Sequence, residues 1–418
     1  MTAAPRRLRD HPWFWASIGW VTLRTISSVA AWYASAFMHS GPTVGVAGYS
    51  PPKLHGVQQA LAGVWLRSDA LWYLKIIVHG YGQDLSTFAF FPAFPLLAAI
   101  VRPLIGGSEL WAGLLVASAL TFAGLYFLFR LTEQLFSASA ARYAVVAVSL
   151  FPTAFFLVAP YGESAFFFAS TCALWLMINR RYALATVLGA MAGMSRPIGF
   201  LLTVALVGVV YASRQRHRVQ PATDAGHGPP ADGLPGRTHL PDLNGLVRPM
   251  LAALAPLWGL VLWLAYSWGA IGRPLAFLEA QKGWQRTLTP FPLTILKGIQ
   301  GWLAYRRTSY GPYFLADFLA LVVGTALIVG VVVYLGRRGH RWIGFGLGLF
   351  GALWLILPMT SVFLPRPLLS MPRFVLGLAP LLMVVGGLPK IAKWGLLAVS
   401  GLLLGIAAAV YVSARPLY

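Results

Sequence analysis

Long apolar runs separated by short basic clusters occupy most of the chain, and most approach the roughly 20 residues a helix needs to cross a bilayer core. Such runs lie near 13–38, 110–130, 143–159, 164–178, 182–195, 197–213, 249–270, 313–335, 343–362, 374–389 and 394–413, which predicts eleven spans. One further run, Phe88–Leu104, contains Pro92, Pro95, Pro103 and a mid-run Arg102, and reads as a helix lying in the outer interface. Residues 214–248 are rich in Pro, Gly, His, Arg and Asp without periodicity. They read as a flexible cytoplasmic linker between an amino-terminal module, 1–213, and a carboxyl-terminal module, 249–418.

Basic residues orient the spans. Arg180-Arg181, the cluster Arg214 to Arg218, Arg337-Arg338-Arg341 and Lys390/Lys393 are expected in the cytoplasm with the amino terminus. Helix parity then places the loops 39–109 and 271–312 on the outer face, with the carboxyl end. The amino-terminal Arg6, Arg7 and Arg9, followed by Ala34-Ser35-Ala36, have the form of a secretory signal. The run Trp13–Met38 is longer than a usual signal core and Arg24 interrupts it, so a retained anchor is expected. Arg24, near mid-membrane, requires an interior partner or must snorkel.

Composition narrows the class. Of 418 residues 58% are hydrophobic and 10% charged, where a soluble domain carries about 25% charged residues. The expected fold class is therefore an all-α polytopic membrane protein of the plasma membrane. The formal charge of +21 is scattered in short clusters rather than gathered on one solvated face, which argues against nucleic acid as a partner. Cys172 is the one cysteine, so neither a disulfide framework nor a cysteine metal site is expected. The histidines lack zinc-helix spacing, and no Asp-x-Asp and no P-loop occur, so no metal, no cofactor and no nucleotide-sugar donor is expected. Gly346-Leu347-Gly348-Leu349-Phe350-Gly351 matches a dinucleotide fingerprint but sits inside an apolar run without a preceding strand; it reads as helix packing, as do Gly189 and Gly193.

Six acids are expected outside: Asp69, Asp84, Glu109, Glu163, Glu279 and Asp317. Asp69 lies in Trp65-Leu66-Arg67-Ser68-Asp69-Ala70-Leu71-Trp72-Tyr73-Leu74-Lys75-Ile76. A single helix here would put Trp65, Asp69 and Tyr73 on one face, and a carboxylate among aromatic rings loses hydration and becomes a better proton acceptor. The same pattern fits an interfacial helix whose Asp69 pairs with Arg67 or Lys75, and spacing does not separate the two. Glu163, in Ala159-Pro160-Tyr161-Gly162-Glu163-Ser164, fits a helix cap more simply than a site. Against the six acids stand fourteen outer basic residues: Lys53, Arg67, Lys75, Arg102, Arg196, Arg273, Lys282, Arg286, Lys297, Arg306, Arg307, Arg366, Arg373 and Arg415. That excess fits an anionic ligand such as a phosphate, or simple attraction to anionic headgroups. Arg366 and Arg373 are the sharper candidates, because neighbouring prolines fix their backbone.

Taken in order, several short motifs resemble the PIG-V-like mannosyltransferases. These are an aromatic-flanked Asp69, Trp72-Tyr73-Leu74, Gly80-Tyr81, Phe90-Phe91-Pro92-Ala93-Phe94-Pro95, Tyr161-Gly162-Glu163-Ser164 and Ser195-Arg196-Pro197-Ile198-Gly199. Pro274-Leu275-Ala276-Phe277 with Ala280-Gln281 and Trp284, then Pro372-Arg373-Phe374, complete the series. The family's Trp-Asp is here Ser68-Asp69, and Arg196-Pro197 stands for its Arg-Ser-Asn. The resemblance implies a GT-C-type bundle and transfer of mannose, with inversion, from a polyprenyl-phosphate donor to a glycolipid, glycan or protein acceptor at the extracytoplasmic face. It implies Asp69 as the catalytic residue, and under that reading the outer basic residues Arg373, Arg366 and Arg196 are expected around the donor phosphate. Trp65, Trp72, Tyr73, Tyr161, Glu163 and Gln281 would then contact substrates. The alternatives are the same chemistry with another hexose, a flippase or transporter of lipid-linked sugar, and a non-catalytic membrane scaffold.

Overall fold

A computed structural model describes residues 11–38, 45–82, 84–219 and 243–413. The expected linker falls largely on 220–242, outside the described residues, as do Arg6, Arg7, Arg9 and Arg415. The protein is helical nearly throughout, and its helices are of two kinds. Glu109–Leu135, Gly311–Arg337, Arg341–Thr360 and Lys390–Val412 are each long and apolar enough to cross a membrane. Gly245–Ala253 and Ala255–Ile271 form a fifth candidate span bent by 52°, where Pro256 lacks the N–H that would continue the helical ladder. The remaining apolar helices are shorter, among them Glu163–Ile178, Tyr182–Gly193 and Gly199–Gln215. These elements make the chain a multi-pass helical membrane protein.

Local chemistry explains where helices begin and break. Ser108 accepts a hydrogen bond from the Trp111 amide and starts Glu109–Leu135, with Glu109 favourably placed in the first turn. Ser137 does the same for Ala138–Ser149. Besides the bent pair, two further expected spans are not continuous helices. The run 143–159 ends as a helix at Ser149 and resumes as a 3-10 turn at Ala154–Leu157, because Pro152 interrupts it. The run 374–389 divides into a helix, Met371–Leu376, and a 3-10 segment, Ala379–Gly387, opened by Pro380. At that break Gly377 lies against the Trp354 ring, where a Cβ would approach to 2.3 Å. Phe88–Leu104 contains only a nine-residue helix, Ala93–Val101, between 3-10 turns. At about 1.5 Å per residue such a helix is too short to span.

Small residues set the helix crossings. A Cβ on Gly193 would fall 2.0 Å from the Pro256 carbonyl oxygen, and one on Gly189 would fall 3.0 Å from the Ala255 Cβ. Gly346 meets the backbone of Gly208, with 2.8 Å from a Cβ at Gly208 to the Gly346 Cα, while Gly348 and Gly351 face the side chains of Val332 and Ile328, so the fingerprint-like glycines serve helix packing. The final helix, Lys390–Val412, packs along the first, Pro12–Phe37, and Arg341–Ile356 packs along Leu202–Val219. Arg24 finds its interior partner in the Val158 carbonyl, 2.7 Å away. Two short strands, Arg286–Leu288 and Ser361–Phe363, pair antiparallel with Arg286 opposite Phe363. They draw the segment 271–312 onto the chain leading to Arg373.

Candidate active site

Asp69 is the first residue of the helix Asp69–His79, and the preceding Ser68 has φ +51°. Only residues that tolerate strain occupy that region away from glycine. The turn at Ser68 redirects the chain, so Trp65 lies in a separate 3-10 turn, Gly63–Trp65, and the expected shared face of Trp65, Asp69 and Tyr73 does not form. Trp65 is fully buried between Phe155 and Tyr411, with ring centroids 6.3 and 6.1 Å away. It supports the site from behind and does not line it.

A cavity of about 320 Å³ lies over Asp69, lined also by Ser68, Trp72, Ser86, Gly283 and Trp284. Trp72 stacks on Phe90 at 5.7 Å and meets Trp284 edge-on at 6.4 Å, which gives the cavity an aromatic wall drawn from two segments far apart in sequence. Gln281 ends the helix Ala276–Gln281 just before this wall and is half-buried.

Below the cavity four charged side chains interlock. Arg373 donates through Nη1 to Asp69 Oδ2 at 2.6 Å and through Nε to Glu163 Oε1. Arg196 Nη1 stands 3.1 Å from the same Glu163 oxygen. The Arg373 guanidinium lies over the rings of Tyr161 and Phe156 at 4.9 and 5.0 Å, while Arg196 lies over Phe374 and Trp354 at 5.7 and 5.9 Å. Glu163 therefore acts as the buried hub of two arginines rather than as a simple helix cap. Tyr161 exchanges a hydrogen bond with Tyr411 at 3.1 Å, and Tyr411 donates to the Arg67 carbonyl at 3.1 Å, which fastens the turn before Asp69. Tyr73 packs on Phe90, Phe94 and Tyr161, with its hydroxyl closing on Gly162, where a Cβ would come within 2.7 Å.

Three residues behave otherwise than expected from sequence. Arg366 is not part of this cluster; its Nε binds the buried Asp317 at 2.5 Å and its Nη2 donates to the Tyr313 carbonyl at 3.3 Å. Lys75 does not pair with Asp69 but with Asp84, and it also donates to the Ala47 carbonyl at 2.8 Å. Arg286, passed over among the fourteen outer basic residues, is the third cation of the site. It donates to the Ser361 carbonyl at 3.0 Å, and burial lowers its pKa while the nearby charge of Asp69 raises it. Only the strand pairing brings it there, and no local motif announces that pairing.

No protein-family model matches the sequence, and no curated protein does. Among solved structures the chain is similar to ArnT from Cupriavidus metallidurans bound to undecaprenyl phosphate, at 15% identity and a TM-score of 0.46, over 91% of this chain and 62% of that one. It is also similar to an Archaeoglobus fulgidus oligosaccharyltransferase tethered to an acceptor peptide, at 13% identity and a TM-score of 0.41, over 96% of this chain and 55% of that one. The chain thus spans about three-fifths of the length of these proteins or less. Likenesses at this level assign no activity.

Proposed function

We propose that this protein is an integral-membrane glycosyltransferase of the GT-C type that moves mannose from a polyprenyl-phosphate donor to an acceptor hydroxyl at the extracytoplasmic face, with inversion. The observation that carries the reading is the placement of Asp69: a partly exposed carboxylate between a cavity with an aromatic wall and a buried arginine pair. Such a group can accept a proton from a hydroxyl held in the cavity. As the acceptor oxygen bonds to the anomeric carbon, the bond from that carbon to the phosphate oxygen breaks and the electron pair leaves with the phosphate. Attack from the side opposite the leaving group inverts the centre in one displacement. Phosphate leaves readily, so the cations need only stabilise its growing charge, a task that fits Arg373, Arg196 and Arg286. Trp72 and Trp284 offer apolar faces to a sugar ring or an isoprenoid tail. Mannose in particular is supported by the ordered series of motifs that resembles the PIG-V-like enzymes.

The test is transfer by the purified protein from synthetic polyprenyl-phosphate mannose, glucose and galactose, with extracted membrane lipids and glycans as acceptors. Mannose is expected to be transferred, with activity retained in EDTA. Transfer from GDP-mannose where no lipid donor can form contradicts the proposal, and so does inert behaviour toward every lipid-linked sugar.

A further inference from the structure

Asp69 is at once the group read as the base and the lid over one edge of Arg373. That guanidinium is held along two edges of unlike character. Its Nε faces Glu163, whose side chain is 2% exposed, and its Nη1 faces Asp69, whose side chain is 30% exposed. The inner contact is the more enclosed, because Arg196 Nη1 stands 3.1 Å from the same Glu163 oxygen and the guanidinium lies over the rings of Tyr161 and Phe156. The outer contact is exchangeable. Asp69 lines the cavity, so an anion entering it meets the Nη1 edge of Arg373 where Asp69 now sits.

The geometry points to an anion subsite on the edge of Arg373 that Asp69 covers, taking the phosphate of an isoprenoid phosphate and releasing Asp69 to act as base. This rests on the glycosyltransferase reading and adds a competition to it: Asp69 Oδ2 and the donor phosphate share one edge of Arg373. While Asp69 Oδ2 accepts the Arg373 hydrogen bond, that lone pair is engaged. With phosphate on Arg373, Asp69 Oδ2 is free to take the acceptor proton as the new glycosidic bond forms and the phosphate leaves with its electron pair. Charge favours the exchange. Arg373, Arg196 and Arg286 face Asp69 and Glu163, three cations against two carboxylates, and the anion of a phosphodiester supplies the missing negative charge. Asp69 therefore competes with the donor for Arg373 as well as serving the reaction.

The competition gives a signature that a simple base does not: removing the carboxylate tightens donor binding. Equilibrium binding of a synthetic polyprenyl monophosphate is measured with full-length protein in neutral phosphatidylcholine nanodiscs, for the unmodified chain, Asp69→Asn, Glu163→Gln and Arg373→Ala. Asp69→Asn is expected to bind at least about tenfold more tightly, the scale of one freed charge-assisted hydrogen bond. Arg373→Ala binds more weakly than the unmodified chain, and Glu163→Gln, which removes a carboxylate but leaves Asp69 over Nη1, tightens binding less than Asp69→Asn does. Thermal unfolding verifies each fold, and Asp69→Ser gives the same reading where Asn does not fold. Saturable binding that is equal or weaker in the Asp69 variants overturns this inference and leaves the transferase reading standing. Absence of saturable binding by every form overturns both. A parallel arm titrates phosphatidylglycerol: it is expected to compete poorly, and displacement equal to that by polyprenyl phosphate assigns the subsite to lipid headgroups in general and overturns the donor-specific claim.

Discussion

Arg373 and Asp69 stand 304 positions apart in sequence and are joined by one hydrogen bond, Nη1 to Oδ2 at 2.6 Å. Because Arg373 also bonds Glu163, whose side chain is buried, one guanidinium ties the start of Asp69–His79, the start of Glu163–Ile178 and the broken segment near Pro372 into a single site. Removing one member of a buried ion pair costs about 3 to 5 kcal/mol. Arg196 remains beside Glu163, so the loss in Arg373→Ala is expected at the lower end of that range. Thermal unfolding of the purified protein measures it. Lys at this position keeps the charge but lacks the rigid planar fork that faces both carboxylates, so Arg373→Lys is expected to recover stability only in part.

The Arg366–Asp317 pair is structural. Asp317 is 1% exposed, and Arg366→Ala leaves it buried without its charged partner. The variant is expected to lose about 3 to 5 kcal/mol of stability, while its affinity for polyprenyl phosphate stays within about twofold, a difference of some 0.4 kcal/mol. Replacing both residues, Asp317→Leu with Arg366→Met, is expected to restore much of the loss, because a matched apolar pair leaves no unpaired charge. A double-mutant cycle in thermal unfolding with a parallel binding assay checks both statements. Strongly weakened lipid binding in folded Arg366→Ala would return this arginine to the donor site.

Asp84 and Lys75 make the loop around Ala47 pH-sensitive. Burial opposes ionisation of Asp84, but hydrogen bonds from Lys75 and the Ser86 amide, with the Lys75 charge, outweigh it and hold the carboxyl below its ordinary value. A depressed carboxyl stabilises the fold above its unfolded pKa and loses that contribution as pH falls through the folded value. The unfolded value is about 3.9, so the contact is intact at neutral pH and weakens below about pH 4. Hydrogen exchange across 45–49 is expected to rise there in the unmodified protein and to be raised already at neutral pH in Asp84→Asn.

Parts of this architecture are legible in the sequence because the signal is local. Apolar length and a serine cap announce Glu109–Leu135, and apolar length alone announces Gly311–Arg337. Asp69, Glu163, Arg196 and Arg373 stand in short motifs with prolines, glycines or aromatics beside them, and the fold brings all four together. What sequence misses is decided at long range. Trp65 has helical spacing to Asp69, but the strained turn at Ser68 overrides it. Arg366 and Arg373 carry the same proline signal, and only the packing of Gly311–Arg337 gives one to Asp317 and leaves the other to Asp69. Arg286 reaches the site through pairing of two three-residue strands, too short to leave a periodic pattern.

The proposed orientation is tested by single cysteines in a Cys172→Ser background. Leu288 is 90% exposed and Val57 is 73% exposed, so Leu288→Cys and Val57→Cys offer accessible thiols in the two loops expected outside. Both are expected to react with an impermeant maleimide added to intact cells, and a cysteine at 230 is expected to react only after permeabilisation. The reverse pattern places the cavity in the cytoplasm and contradicts the extracytoplasmic site.

Asp69 carries the central claim, and sugar transfer by Asp69→Asn tests it most directly. Asn keeps nearly the same shape and a weaker hydrogen bond to Arg373, but it cannot take a proton from an acceptor hydroxyl. Loss of a general base costs typically two to four powers of ten in rate, on the order of 3 to 5 kcal/mol, whereas loss of a partly exposed ion pair costs about 1 kcal/mol or less of stability. A folded Asp69→Asn protein that binds polyprenyl phosphate and transfers sugar at least about a hundredfold more slowly is the predicted result. Transfer within a few-fold of the unmodified rate by that same folded protein would show that the base lies elsewhere.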